Sequence, residues 1–302
     1  MASTKAPIEA HIAIASAPES GPDVYRNVDP IGAQEGQRSV FGGFLVSQAL
    51  SAASATVPDS FHPYSSQSSF IAAAAGKEKI VYRVERISDG RNFLTRIVRA
   101  SQGTTSVYVA VISFQALAGG NQLNYGAPMI ELDGTPEDID PSAMQSFQTS
   151  MVDRSTPIMQ QKAEDRPLDW RPHSLEMSDD PTNFRVRGFV RSTPLSTNDS
   201  AVHLAALAYA SDDLFFGIAL AANPIAVGKG WRNVALAASL THNVSFHDPH
   251  AKIDEWIVLE RETSWGANGR VMVHQKMWNR QTGKLILSGS QEALVRLHGS
   301  KI

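Results

Sequence analysis

The chain contains no cysteine among its 302 residues, so neither a disulfide nor a thiolate metal site can form. It also has little excess charge, because 27 basic and 30 acidic residues leave a net charge of −3. Nucleic-acid-binding domains usually carry a strong basic excess, which is missing here. These absences argue against a disulfide scaffold and against nucleic-acid binding, and they suit a reducing intracellular compartment.

Long apolar runs are scarce as well. No stretch approaches the ~20 consecutive apolar residues of a membrane span, and residues 1–17 lack the apolar core of a secretory signal. Hydrophobic residues make up 42% of the chain and charged residues 19%, which is typical of a globular protein. We therefore predict no membrane span and, from the length, about two domains.

What the chain does contain is an internal repeat. Glu85-Arg86 opens a strand-like run that closes 30 residues later at Gln115, and Glu260-Arg261 opens another that closes 31 residues later at Gln291. Both runs contain two turns, and each follows a segment of small residues. A repeat of this length predicts two copies of one unit made of a helix and a sheet.

The pattern inside each copy indicates how that unit folds. Alanines follow Gly42-Gly43 and also fill residues 201–210, where Asp199 is a suitable N-cap, so both segments favour a helix surrounded by other backbone. Runs rich in β-branched and aromatic residues follow, and Asn268-Gly269 is a strong hairpin signal. The chain is therefore predicted to be α+β, a tandem (double) hot-dog with two antiparallel sheets that each wrap a central helix.

The domain limits follow from the positions of the copies. We predict an N-terminal hot-dog domain over residues 22–118 and a C-terminal hot-dog domain over residues 184–298 that carries the catalytic residues. Between them, residues 119–183 are rich in proline and acidic residues and are predicted to be a linker with one short helix around Pro141 to Met151.

Asp212 is the candidate catalytic residue that stands out in the sequence. Its neighbours include four apolar residues, namely Ala210, Leu214, Phe215 and Phe216. A carboxylate in such surroundings is costly to desolvate unless polar groups hold it, as they do in a catalytic site. The alternative is a solvent-facing carboxylate at a helix end, a role that the neighbouring Asp213 fits better.

Two further polar residues lie in strand-like runs. Gln291 falls on an otherwise apolar face and needs a partner, unless it is a strand-end amide in solvent. Ser239 presents a hydroxyl inward or is an ordinary strand serine. His242 and His247 are five residues apart without a third ligand pattern, so no metal is predicted. The chain has no nucleotide-binding fingerprint, and no cofactor is expected.

At these residues the chain resembles the acyl-CoA thioesterase II family, the TesB-like double hot-dog enzymes. The matching stretches are Val40 to Leu50, Val84 to Phe93, Ser113 to Gln115, Tyr209 to Asp212, Ser239 to His247 and Ser290 to Glu292. They cover both copies but not the linker. The resemblance implies hydrolysis of a fatty or branched acyl-CoA thioester to the free acid and CoA.

The resemblance also implies roles for individual residues. Asp212, Ser239 and Gln291 would hold the attacking water, with Asp212 as its base. The residues that would bind the acyl-CoA substrate are Gly42, Gly43, Phe44, Gln67 and His242. The first turn of the helix at Gly43 would stabilise the oxyanion, as helix N-termini do.

The chain departs from the family in part of the substrate-binding half. The family's Asp-His-Ser reads Thr241 to Asn243, its His-Ser-Tyr-Phe reads Gln67 to Phe70, and a glutamine at the helix start is Phe44. These changes keep an alternative open, a repurposed double hot-dog enzyme (dehydratase, isomerase or cyclase) acting on a specialised metabolite. A non-catalytic binding subunit is the third possibility.

Two predictions concern the protein in the cell. The chain ends in Ser300-Lys301-Ile302, which differs from the peroxisomal address Ser-Lys-Leu by one branched aliphatic residue. We therefore predict a peroxisomal location, and otherwise a cytoplasmic one. Because the exposed edge of a hot-dog sheet needs cover, we also expect a homodimer or homotetramer.

Overall fold

The computed structural model describes residues 5–29, 39–76, 78–117, 119–121, 123–140, 167–213, 215–228 and 231–299. The elements of the first half are α1 (Pro7–Ile12), β1 (Ile14–Ser16), β2 (Val24–Asn27), α2 (Gly42–Ser54), β3 (Phe61–Phe70), β4 (Val81–Asp89), β5 (Phe93–Gln102) and β6 (Thr105–Ala116). Those of the second half are β7 (Asp169–Glu176), β8 (Arg185–Arg191), α3 (Ser200–Asp212), α4 (Gly217–Ala221), α5 (Pro224–Val227), β9 (Val234–Phe246), β10 (Ile257–Ala267), β11 (Arg270–Asn279) and β12 (Leu285–Leu297). Each half therefore runs from a long helix into four antiparallel strands, as the repeat predicts.

The two long helices, α2 and α3, lie at the centre of the molecule and pack against each other. Residues 203–212 of α3 are all buried, so this helix has no solvent face, and Asp199 caps it by accepting a hydrogen bond from the N–H of Ala201 at 2.9 Å. The strands wrap this pair of helices. The predicted fold class, an α+β tandem (double) hot-dog, is confirmed.

The strands form one continuous antiparallel sheet of twelve, in the order β1-β2-β4-β5-β6-β3-β9-β12-β11-β10-β8-β7. The two predicted sheets are therefore joined, and β3 pairs with β9 at the joint, which we call the seam. Each of these strands would otherwise be an open edge with unpaired N–H and C=O groups. The Ser68 hydroxyl adds a side-chain bond across the seam, 2.6 Å from the carbonyl oxygen of His242.

The segment predicted to be a linker contains secondary structure of its own. β7 lies within it and pairs with β8, so it extends the sheet of the second half. Earlier residues of the same segment also pack against the sheet of the second half. The indole of Trp278, on β11, donates a hydrogen bond to the carbonyl of Ala127 at 3.0 Å. The helix predicted around Pro141 to Met151 lies outside the described residues, and the domain limits stay a prediction.

One helical stretch, Ser200–Ala221, is long and apolar enough to cross a membrane. Its apolar window of 18 residues has a mean hydropathy of 1.5 and is 82% buried inside the molecule. Core helices of globular proteins pass the same test of length and composition, so the stretch is weak support for a span. The sequence predicts no membrane span, and the stretch contains two carboxylates, Asp212 and Asp213.

Candidate active site

The candidate site lies where the last turn of α3 meets the first turn of α2. Asp212 ends α3, and only 5% of its surface is exposed. A Cβ on Gly42 would lie 2.6 Å from Oδ2 of Asp212, and a Cβ on Gly43 would lie 3.0 Å from the carbonyl oxygen of Tyr209. Both glycines are thus needed for the close approach of the two helices.

The first turn of α2 also favours the negative charge of Asp212. The backbone N–H of Gly43 faces the carboxylate and lowers its pKa. The N–H groups of the first helical turn have no partner within their helix, and the helix dipole adds positive potential there. The side chain of Asp212 therefore belongs to one half of the chain, while its backbone donor belongs to the other.

Two strands bring polar side chains to the same carboxylate. Nε2 of Gln291, on β12, donates to Oδ1 of Asp212 at 2.6 Å and to Oγ of Ser239, on β9, at 3.2 Å. Gln291 is fully buried. Its Oε1 is also buried and has no hydrogen-bond partner among the described residues. Gln291 therefore contacts both Asp212 and Ser239, the two other residues predicted to hold a water.

A β-bulge in β9 explains why Ser239 faces this site. Thr241 pairs with Glu292, but the next pair joins Ser239 to Ala293, so Leu240 is an extra residue in β9. Because side chains alternate between the faces of a sheet, a regular strand would direct Ser239 away from the helices. The bulge restores it to the inner face, beside Gln291.

The electrostatics of the site adjust the acidity of Asp212. Burial raises its pKa to about 6, while the hydrogen bond from Gln291, the charge of Arg261 and the Gly43 N–H each lower it. A carboxyl whose pKa lies close to neutrality is well suited to accept and return a proton. The following residue, Asp213, is partly exposed, and desolvation raises its pKa to about 6 as well.

Aromatic rings surround the helix ends. Phe44 is half-buried, with its ring 5.4 Å from that of Tyr209 and 4.7 Å from that of His11. The ring of Phe70, at the end of β3, would lie 2.9 Å from a Cβ on Gly42. The structure thus places Phe44 close to the site, and it adds Phe70, which the sequence had suggested only as part of a motif.

The structure does not bring Gln67 to the site. Its neighbours Ser66 and Ser68 are buried, so the alternation of β3 directs Gln67 to the outer face of the sheet. There it lines a polar cavity of about 390 Å³ together with Asn243 and residues of β10 to β12. Gln67 therefore lies apart from Asp212, and its predicted role in substrate binding stays a prediction.

His242, on β9, is fully buried. Its Nε2 lies 3.2 Å from Oγ of Ser211, and its ring lies 6.1 Å from that of Phe215. Burial lowers its pKa to about 4, so the ring is neutral at neutral pH. His242 thus packs beneath the last turn of α3, and its predicted role in substrate binding stays a prediction.

One residue that the sequence analysis used only as a repeat marker is part of the surroundings of the site. Arg261 is 3% exposed, and its guanidinium donates to the carbonyls of Ala210 and Asp213 in and after the last turn of α3. Arg86, its counterpart in the repeat, is half-exposed and pairs with Asp23 at 2.7 Å. The Glu-Arg repeat was visible in the sequence, but the different burial of the two arginines was not.

The fold is that of a double hot-dog protein, with three polar side chains gathered where the two central helices meet. Two family models match the chain, the acyl-CoA thioesterase N-terminal domain over residues 30–115 and the acyl-CoA thioesterase C-terminal domain over residues 136–295. The chain belongs to the TesB-like acyl-CoA thioesterase family, whose members are thioester hydrolases.

Individual relatives agree with this assignment. The chain is 30% identical to acyl-CoA thioesterase 2 of Haemophilus influenzae over 86% of its own length and 89% of the relative. It is 26% identical to the peroxisomal acyl-coenzyme A thioester hydrolase 1 of Saccharomyces cerevisiae over 88% of both chains. The crystal structure of the thioesterase II TesB2 from Mycobacterium marinum shares the fold with a TM-score of 0.75, at 23% identity and over 97% and 99% of the two chains.

Proposed function

We propose that the protein hydrolyses an acyl-CoA thioester to a free acid and CoA, with a water activated by Asp212. The observation that supports this most directly is the contact between Gln291 and Asp212, 2.6 Å, with Ser239 3.2 Å from the same amide nitrogen. A base, an amide and a hydroxyl that converge at a helix N-terminus can hold one water and present it to an acyl carbon.

The proposed reaction begins with proton transfer. The Asp212 carboxylate takes a proton from the water, and the oxygen attacks the thioester carbon to form a tetrahedral intermediate. The intermediate then expels CoA as its thiolate, which recovers the proton from Asp212. No covalent acyl-enzyme forms. A pKa of about 6 for Asp212 suits both steps, since the group is ionised at neutral pH but returns a proton readily.

The unpartnered carbonyl oxygen of Gln291 supports the proposal for the water. A buried amide oxygen without a partner is costly, so a site that leaves one open fits a donor that arrives with the substrate or the solvent. In our proposal this oxygen accepts a hydrogen bond from the second O–H of the water, and Ser239 fixes the position of the water. The first turn of α2, at Gly42 and Gly43, polarises the thioester carbonyl.

The proposal is tested by following free thiol release from a panel of short-, medium-, long- and branched-chain acyl-CoAs. We expect Asp212→Asn to lower kcat/KM by ~10²–10⁴-fold for each substrate that the wild type turns over, because the general base is lost. Asp213→Asn, the adjacent carboxylate, is the matched control and should cost far less. Turnover of Asp212→Asn within a few-fold of the wild type would exclude Asp212 as the base.

The internal repeat offers a second pair of variants for the same assay. Gln291→Ala removes the amide that holds Asp212, whereas Gln115→Ala changes its counterpart in the first copy. Gln115 pairs with the exposed Phe93 on the outer face of the sheet, so its loss should leave turnover close to that of the wild type. If no acyl-CoA is hydrolysed at all, a repurposed enzyme or a binding subunit becomes the better explanation.

We also propose that the protein is peroxisomal and forms a homodimer or homotetramer. A relative that is named peroxisomal and the terminal Ser300-Lys301-Ile302, which lies outside the described residues, support the location. A fluorescent fusion at the N-terminus should lose its punctate distribution when the last three residues are deleted.

The oligomeric state is measured by light scattering. A monomer at micromolar concentration would contradict the proposed homodimer or homotetramer.

A further inference from the structure

Arg261 has an unusual position for a charged residue. It projects from β10 to the inner face of the sheet, with 3% of its surface exposed. Its NH1 donates to the carbonyl of Asp213 at 2.5 Å and its NH2 to that of Ala210 at 3.2 Å. Oε1 of Gln275, on β11, accepts a hydrogen bond from Nε of Arg261 at 3.2 Å, and Nε2 of Gln275 donates to the carbonyl of Ser211 at 2.7 Å. Together the two side chains satisfy three carbonyls at the end of α3.

The remaining contacts of this guanidinium are aromatic. Its carbon lies 5.1 Å from the ring centre of Trp170 and 5.4 Å from that of Phe215. Among the residues that the structure describes, no carboxylate oxygen lies within 4.0 Å of Arg261. Burial lowers its pKa only to about 10, so the charge persists at neutral pH. It is therefore a buried cation with no direct ion pair.

The charge of Arg261 acts on the acids beside it, because low-dielectric surroundings screen it weakly. The titratable groups around Asp212 and Arg261 are Tyr209 and Asp213 at the end of α3, Tyr108 of β6 and His242 of β9. Burial raises the pKa of both tyrosines and lowers the pKa of His242, so all three side chains are neutral at neutral pH. Within this group, Arg261 is the cation that opposes the two aspartates.

We infer that Arg261 is a positioning residue for the hydrolysis proposed above: it fixes the last turn of α3 and supplies the positive charge that favours the carboxylate form of Asp212. This inference rests on Asp212 acting as the base. Arginine suits the role because its planar fork reaches two carbonyls at once, stays charged when buried and stacks on aromatic rings. A lysine would keep the charge but would lack the planar guanidinium that reaches two carbonyls.

The first half of the chain provides a built-in control. Arg96 is fully buried and holds the end of α2, donating to Oγ1 of Thr56 at 2.9 Å and to its carbonyl at 3.3 Å. Unlike Arg261, it forms an ion pair, with Asp89 at 2.5 Å. The two arginines thus share burial and a helix C-terminus, but only Arg261 has its charge directed at the candidate site.

The test compares the variants Arg261→Gln, Arg261→Met, Arg261→Lys and Arg96→Gln in the full chain. The pH dependence of kcat/KM for thiol release is measured between pH 5 and 9. Loss of the charge should move the acid limb of the pH profile upward by ~1 pH unit, which lowers kcat/KM at pH 6 by about fivefold and leaves kcat/KM at pH 8.5 much less affected. Arg261→Lys and Arg96→Gln should leave the limb in place even if they reduce thermal stability.

A second readout does not depend on turnover. The carboxyl stretch of Asp212 is followed by infrared titration as the difference between each protein and its Asp212→Asn version. The midpoint should rise in Arg261→Gln or Arg261→Met and stay in place in Arg96→Gln. If wild type hydrolyses no thioester, the proposed function fails, while the infrared midpoint still reports on Arg261.

Three outcomes would overturn the inference. The first is a folded Arg261→Gln or Arg261→Met protein with an unmoved midpoint and acid limb. The second is an equal shift in Arg96→Gln, which would indicate a general effect of destabilisation. The third is an infrared midpoint of Asp212 that is displaced by a full pH unit in Arg261→Lys. If both neutral variants fail to fold, the inference is judged on Arg261→Lys alone.

Discussion

The burial of Asp212 has a cost that is measurable in stability. Its pKa rises from 3.8 to about 6 on folding, so the folded protein binds this proton more readily than the unfolded chain does. The contribution of Asp212 to stability is therefore fully present below pH 3.8 and is lost as the pH rises through about 6. The usual salt-bridged carboxylate behaves in the opposite way.

We predict that Asp212→Asn is more stable than the wild type at pH 8. A neutral amide avoids the desolvation of a charge, and the pKa shift corresponds to a gain of up to ~3 kcal/mol in the free energy of unfolding. The gain should shrink towards pH 4, where the wild-type carboxyl is mostly protonated. Urea denaturation at both pH values measures it, and an Asp212→Asn protein less stable than the wild type at pH 8 would contradict this account.

At the scale of the elements, the site depends on how closely α2 approaches α3. Glycine at the start of α2 leaves space for the carbonyl of Tyr209, which a Cβ on Gly43 would meet at 3.0 Å, and for the ring of Phe41, which it would meet at 2.3 Å. The contact between these helix ends determines where the Gly43 N–H lies relative to Asp212. The spacing of two helices thus sets the geometry of one carboxylate.

Gly43→Ala should therefore separate the helix ends. We expect a loss of ~1–3 kcal/mol in stability from overpacking, together with reduced thiol release, because the N–H of residue 43 moves away from Asp212. Gly217→Ala, in α4, is the control, since its Cβ would meet only the Trp231 ring at 3.8 Å. Thermal melts and kcat/KM for both variants check the prediction, and equal behaviour of the two would refute it.

Much of this arrangement could be predicted from sequence at the level of elements. Small residues after Gly42 and Ser200 indicated two buried helices, and both are present. The bulge at Leu240 could not be predicted, because it depends on the pairing of β9 with β12 rather than on β9 alone.

The comparison of Gln115 with Gln291 shows the same limit. The two repeats differ by one residue in length, 30 against 31. Since side chains in a strand alternate with a period of two, one residue is enough to exchange the faces. Phe114, next to Gln115, is fully buried, so Gln115 itself points outward, whereas Gln291 points to the site. The correspondence of the two glutamines in the sequence therefore did not determine which face of the sheet each one occupies.

At the scale of the whole molecule, the two halves share a hydrophobic core and a sheet. One hydrophobic core contains Leu50 of α2, Leu204 of α3 and Val244 of β9. The seam between β3 and β9 continues the sheet without an edge. The site itself uses Gly43 from the first half and Asp212 from the second.

We predict that both halves unfold in one transition. Because the core and the sheet cross the boundary, neither half retains its stabilising contacts when the other is lost. Differential scanning calorimetry should give a calorimetric enthalpy equal to the van't Hoff enthalpy. Two resolved transitions would show that the halves unfold independently. A calorimetric enthalpy well above the van't Hoff enthalpy at all scan rates would show the same.

The covalent joining of the two copies removes the constraint of symmetry. In a dimer of identical chains every substitution is made twice, so a residue that serves one site also appears at its symmetry mate. Here each half accumulates its own changes: Arg96 has a carboxylate partner at one helix end, while Arg261 at the other has none among the described residues. The cost of burying Asp212 is then met once per chain, and the other half is free to contribute structure.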